Sequence, residues 1–223
     1  HTLVVPFEDG TISSYGHNEG SGMTAVEDRM DCKSLLDMAT PSLYRKNLFR
    51  ILGLPVSASA ADVRRQQKRL DMERKLGVTS NGATNGILTL VPPPASEETR
   101  AAMDRLADPE SRLLDEVFWF WPVKPGAAQD PALRALAAGH TKEAATMWAA
   151  ESQKEPRSHV ALHNLAVLEH LIALDYEAKL SASGLDEKTK TRLGDLWAKA
   201  LGRWLQILNN EAFWEDVRLR VRD

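Results

Sequence analysis

Cysteine is nearly absent from this chain of 223 residues: Cys32 stands alone. An intrachain disulfide and a cysteine-built zinc cluster are therefore excluded, and a reducing, cytoplasmic setting is expected. Long apolar runs are missing too. No window approaches the ~18 uninterrupted apolar residues of a membrane span, and the N-terminus lacks a basic segment followed by an apolar run and a small-residue cleavage site, so no membrane partner is expected. Nor is there a dominant charge. Lys and Arg number 28 against 31 Asp and Glu, a net charge of −3, which supplies no global basic field for a phosphate backbone and argues against nucleic acid as a partner. Nucleophile elbow, glycine-rich phosphate loop and dinucleotide fingerprint are all lacking, and Cys32 has no histidine near it in sequence; no enzyme chemistry and no cofactor is expected.

What is present is the composition of an ordinary globular protein, 43% apolar and 26% charged, long enough for one domain or two small ones. Residues 1–22 read as foreign to the rest. Gly20-Ser21-Gly22 before Met23 has the form of a linker ahead of a native start. Two readings of this segment stand side by side: a tag or disordered tail, or a fused ligand peptide. The second rests on Leu3-Val4-Val5-Pro6-Phe7, an extended apolar stretch, followed by the turn signal Glu8-Asp9-Gly10.

After an N-terminal segment, 23–42, the pattern is helical almost throughout, and an all-α fold is expected. Leu43, Asn47, Leu48, Ile51 and Leu52 keep helical spacing until Gly53 and Pro55, predicting one short helix. Ser59 with Asp62 three residues on is a capping-box variant that opens a long helix over 60–76. Arg64, Arg65, Lys68 and Arg69 make a basic patch on it, and residues 45–76 hold nine Lys/Arg against three Asp/Glu, 9 − 3 = +6 in an acidic chain. Residues 77–95 form a proline-rich loop in which Ile87 to Val91 read as an extended stretch on the core surface. Ser96 is expected to cap a third helix and Asp108-Pro109 to open a fourth. The fourth runs into Phe118-Trp119-Phe120-Trp121-Pro122; without basic residues around it, this aromatic run reads as an interdomain wedge rather than a base-stacking platform.

The stretch NLFRILGLPVSASAADVRRQQKRL at 47–70, followed by RLADPESRLLDE at 105–116, resembles the J-domain of DnaJ-type co-chaperones, with a short helix, a basic long helix, a loop, a long helix and a short last one. The ILG-P and ADPE-R stretches carry the likeness, over roughly 43–122. J-domains use a His-Pro-Asp signature after the basic helix to stimulate a DnaK-class ATPase; no histidine occurs here between His17 and His140, so the domain is J-like and lacks that motif. The resemblance implies a DnaK-class chaperone as partner, docked on Arg64, Arg65, Lys68 and Arg69.

In 127–223, Gly139, Ala144, Trp148 and Pro156, followed by Leu162, Leu165 and Ala166, resemble a tetratricopeptide repeat of paired helices. By that resemblance His163, Asn164, Val167 and His170 line a concave peptide groove. Asn164 is similar to the asparagine of carboxylate-clamping members, although the accompanying lysines and arginines have no counterpart. Leu193 to Leu208 give an amphipathic helix, interrupted at Asn209-Asn210, and Phe213 to Val221 a short closing one. His159, His163 and His170 share a helical stripe, and a pair four apart can chelate a metal, but no acidic residue follows His159 as a zinc-protease helix requires. The function expected is a non-enzymatic protein- and peptide-binding adaptor of a DnaK-class chaperone system. The alternatives are an active co-chaperone using a non-standard contact and a metal-binding helical protein.

Overall fold

The structure is a computed structural model and describes residues 40–76, 87–123, 130–154, 158–180 and 186–222; the ligand-like stretch Leu3 to Phe7, the Gly-Ser-Gly segment and Cys32 lie outside them. It is all-α, with no strand among the described residues. The helices are α1 Leu43–Lys46, α2 Leu48–Leu52, α3 Ala60–Leu76, α4 Ser96–Ala107, α5 Pro109–Val117, α6 Pro131–Ala137, α7 Thr141–Glu151, α8 Ser158–Ala178, α9 Glu187–Leu208 and α10 Glu211–Arg222. None is long and apolar enough to cross a membrane.

The first helix expected from periodicity is two. Asn47 adopts an extended ψ of 128° and its side-chain oxygen caps α2 by accepting from the N–H groups of Phe49 and Arg50. A residue that can cap competes with helix continuation, and here Asn47 also donates to the Asp115 carbonyl at 2.8 Å, which fixes the break in place. Gly53 closes α2 in the left-handed conformation, φ 64°, that a side chain would resist.

The Ser59–Asp62 box opens α3, with the Asp62 carboxylate accepting from both the Ser59 N–H and its hydroxyl. At α4 the cap lies one residue earlier than Ser96. Ala95 holds the cap position, and Glu98 reaches back to accept from its N–H at 2.8 Å, because the residue before the helix must leave helical φ/ψ and Ala95 is the one that does. Asp108 caps α5 through the Ser111 N–H, with Pro109 at the first helical position. The stretch from Ile87 is a turn, with Leu90 buried in the core. Asp186 caps α9, so this helix starts six residues before Leu193 and gains nearly two turns.

One apolar cluster runs from Leu43, Leu48 and Leu52 through Trp119, Phe120 and Trp121 to Trp148, Leu165, Ile207 and Phe213. The aromatic run is its centre: Trp119, Phe120 and Trp121 are all fully buried, and Phe120 stacks on Trp148 at 5.5 Å between centroids. Ala144 and Ala166 are fully buried as well, and their small side chains let α7 and α8 approach closely.

Candidate functional site

The four residues expected to line a peptide groove gather on α8, but the space they face is filled by the chain itself. His163, Asn164 and Val167 are completely buried. What occupies the groove is the segment leaving α5. Asn164 Oδ1 accepts from the Trp121 N–H at 2.8 Å, and Asn164 Nδ2 donates to the Trp121 carbonyl at 2.7 Å. Both backbone groups of one residue are thereby satisfied by one amide. His163 Nε2 lies 2.7 Å from the Val117 carbonyl, which can only accept, so this nitrogen carries the proton. Burial pushes the imidazole down to about 3, outweighing that hydrogen bond, and the ring stays neutral at physiological pH.

The expectation of an open groove is therefore corrected. The physical reason is the aromatic run, whose Trp119, Phe120 and Trp121 rings are buried and which lies along α8. Trp121 is the anchor. Its Nε1–H donates to the Glu116 carbonyl at 2.7 Å, its ring stacks near Phe213, and Arg220 sits over its face at 4.1 Å.

The histidine stripe is divided among three elements. His159 pairs with Asp216 of α10 at 2.9 Å, His163 holds the end of α5, and His170 shares a 2.9 Å hydrogen bond with the Tyr44 hydroxyl of α1. Burial lowers His170 to about 4 and raises the Tyr44 phenol well above its ordinary value, so this pair is neutral. Among the described residues no group of three or more His, Cys, Asp or Glu could hold a metal ion.

Sequence reasoning missed a set of buried acids. Asp115 accepts from the Leu48 N–H at 3.0 Å and pairs with Arg105 at 3.0 Å, joining α2, α4 and α5. Burial lifts its carboxyl to about 6, with Arg105 acting against the rise. Glu116 pairs with Arg112 at 2.9 Å and Arg220 at 3.1 Å, and Glu169 with Lys199 and Arg203. The signal was readable in LLDEVFWFW, where two acids inside an apolar run demand buried partners. A cleft of about 320 Å3 beside α6 and α7 was also not foreseen; Pro131, Met147 and Trp148 line it, with Glu151 and Lys154 at 3.2 Å from each other on its rim.

The basic patch is the remaining expected site, and it faces water. Arg64, Arg65 and Lys68 are exposed and Arg69 is half-buried. Among the residues of α3 whose side chains are described none is buried, although Val63 and Leu70 lean on the core and Gln66 Nε2 donates to the Leu52 carbonyl at 2.6 Å. Arg65 pairs with Asp62, and Arg69 stands 3.8 Å from Glu73. The helix is thus tethered at its start and along one edge, presenting its cations outward.

No family model matches this chain, and neither a curated protein nor a solved structure matches it.

Proposed function

We propose that the chain is a non-enzymatic, protein-binding adaptor of a DnaK-class chaperone system, docking through the basic face of α3. The observation that carries this reading is the outward row of Arg64, Arg65 and Lys68 on a helix that buries none of its described side chains. A helix held so lightly by its own fold gains most from a partner, and a local excess of six positive charges steers an acidic surface toward it. The likeness of 47–70 and 105–116 to a J-domain supplies the partner class. Because the α8 groove is taken by Trp121, binding falls to an outer surface, and the peptide-holding role moves away from His163, Asn164 and Val167.

The test is calorimetric titration of the full chain with a purified DnaK-class chaperone, with ATP turnover followed in parallel. Saturable binding is expected, weakened at least ~10-fold by the triple change Arg64→Glu, Arg65→Glu, Lys68→Glu and by raised salt, as an electrostatic contact requires. ATP turnover is expected to stay at its basal rate, since the His-Pro-Asp signature is lacking. Absence of binding, or binding indifferent to the triple change, overturns the proposal; turnover that rises and depends on α3 converts it into the active co-chaperone reading.

A further inference from the structure

Helix α9 carries two apolar faces, and the described residues cover only one. Ala200 and Ile207 are buried, and Trp197 and Trp204 pack with them toward α8. On the adjoining flank Glu187, Thr191, Gly194, Ala198, Leu201, Leu205 and Leu208 follow one another at alternating steps of four and three, and all seven are exposed. That alternation keeps the seven on one stripe of the helix, a seam that is apolar over Leu201, Leu205 and Leu208 and of the kind that meets another helix along its length. Leu201, Leu205 and Leu208 are 55%, 62% and 44% exposed, and Trp214, whose Nε1–H donates to the Leu208 carbonyl, continues the patch into α10. A Cβ added at Gly194 would meet nothing within 4 Å, so no contact among the described residues requires a glycine there.

Residue size along the seam selects the partner. The half nearer the N-terminus is small, Gly194 and Ala198, and the half nearer the C-terminus is large, Leu205 and Leu208, with Leu201 between them. We infer that this face pairs with the same face of a second copy of the chain, the two α9 helices running antiparallel about a two-fold axis at Leu201. In that register Leu208 of each copy enters the hollow at Gly194 of the other and Leu205 lies over Ala198, so large meets small on either side of the axis, where Leu201 meets its own copy. A parallel pair would set glycine against glycine across a gap. Charge follows the same sense: Lys190, which pairs with Glu187 of its own helix at 2.7 Å, comes beside the exposed Glu211 where the other copy enters α10. The helix is ~33 Å long, which places the contact near the low end of stable interfaces, ~1,000 Å2 in all, and makes the dimer dependent on concentration.

Sedimentation of the full chain from ~1 to ~100 µM tests this, with helical circular dichroism as the folding control. A monomer–dimer equilibrium is expected, its dissociation constant raised at least ~10-fold by Leu205→Glu and, separately, by Gly194→Leu, which fills the hollow at a position where an added Cβ meets nothing within 4 Å. Leu219→Glu, on an exposed position of α10 outside the seam, should leave it unchanged. In a Cys32→Ser background, Leu201→Cys should form an intermolecular disulfide on mild oxidation and Leu219→Cys should not, because only a residue on the axis meets its own copy. A monomer throughout the range, or a dimer indifferent to both seam variants, overturns the inference. So does a monomer that binds phospholipid vesicles through Leu205, which would assign the face to a lipid surface.

Discussion

The side-chain amide of Asn164 hydrogen-bonds both the N–H and the carbonyl of Trp121, 43 residues away in sequence, and both residues are completely buried. Asn164→Ala strands two buried backbone groups at once, at ~1–3 kcal/mol each. A loss of about 3 kcal/mol in urea unfolding is expected. Asn164→Asp should be at least as damaging, because a carboxylate still accepts from the N–H but cannot donate to the carbonyl and brings a buried charge. If the Asp variant is markedly more stable than the Ala variant, the carbonyl half of the clamp does not matter.

Trp121 and Trp148 are equally buried but differently bonded. The Trp121 indole N–H donates to the Glu116 carbonyl, whereas that of Trp148 has no partner among the described residues. Replacing each by Phe removes similar ring area, but only Trp121→Phe breaks a hydrogen bond and the contact with Arg220. Trp121→Phe is expected to cost about 1–2 kcal/mol more than Trp148→Phe in the same unfolding measurement. Equal losses would show that ring packing alone decides both.

The helices were legible where a local rule defines them. Ser59 with Asp62 and Asp108 with Pro109 give starts that hold to the residue, since cap chemistry needs only neighbours in sequence. Asn47 breaks its helix because the side chain finds Asp115, a partner 68 residues on that no local pattern reveals. The groove misled for a related reason. Periodicity puts His163, Asn164 and Val167 on one stripe but cannot say what covers it, and the covering segment was already in view as an aromatic run. Its reading as a wedge and the stripe's reading as a groove were two halves of one contact. The outer seam of α9 was overshadowed by its inner stripe of Trp197, Ala200 and Trp204, although both repeat in the same 22 residues.

Three buried groups shape the response to acid. Burial holds His163 at about 3 and His170 at about 4, and lifts Asp115 to about 6. Between pH 6.5 and 4 the unfolded chain takes up a proton on each histidine that the folded chain refuses, so stability falls as the pH falls. Asp115 opposes this: the folded chain keeps its proton up to about pH 6 and the unfolded carboxylate releases it near ~4, so this group adds stability on acidification through 6. His170 is partly open to water and counts for less than a full proton. Near pH 5 the histidines win by roughly half to one proton, a loss of about 1 kcal/mol per pH unit. Asp115→Asn removes the compensation and should about double that slope in urea unfolding at pH 5 and 6; an unchanged slope would remove Asp115 from this account.

Two glycines separate backbone need from helix cost. Gly139 follows α6 at φ 82°, and its N–H donates to the Leu136 carbonyl at 3.0 Å, closing the helix in a conformation that any side chain resists by ~1–2 kcal/mol. Gly202 lies inside α9, aside from the seam, with nothing within 4 Å of an added Cβ. There glycine only loosens the helix, and alanine should regain about 1 kcal/mol. Gly202→Ala is thus expected to raise the melting temperature by a few degrees and Gly139→Ala to lower it. Since an added Cβ meets nothing within 4 Å at either position, a shift of the same sign in both would show that the positive φ of Gly139 does not govern the effect.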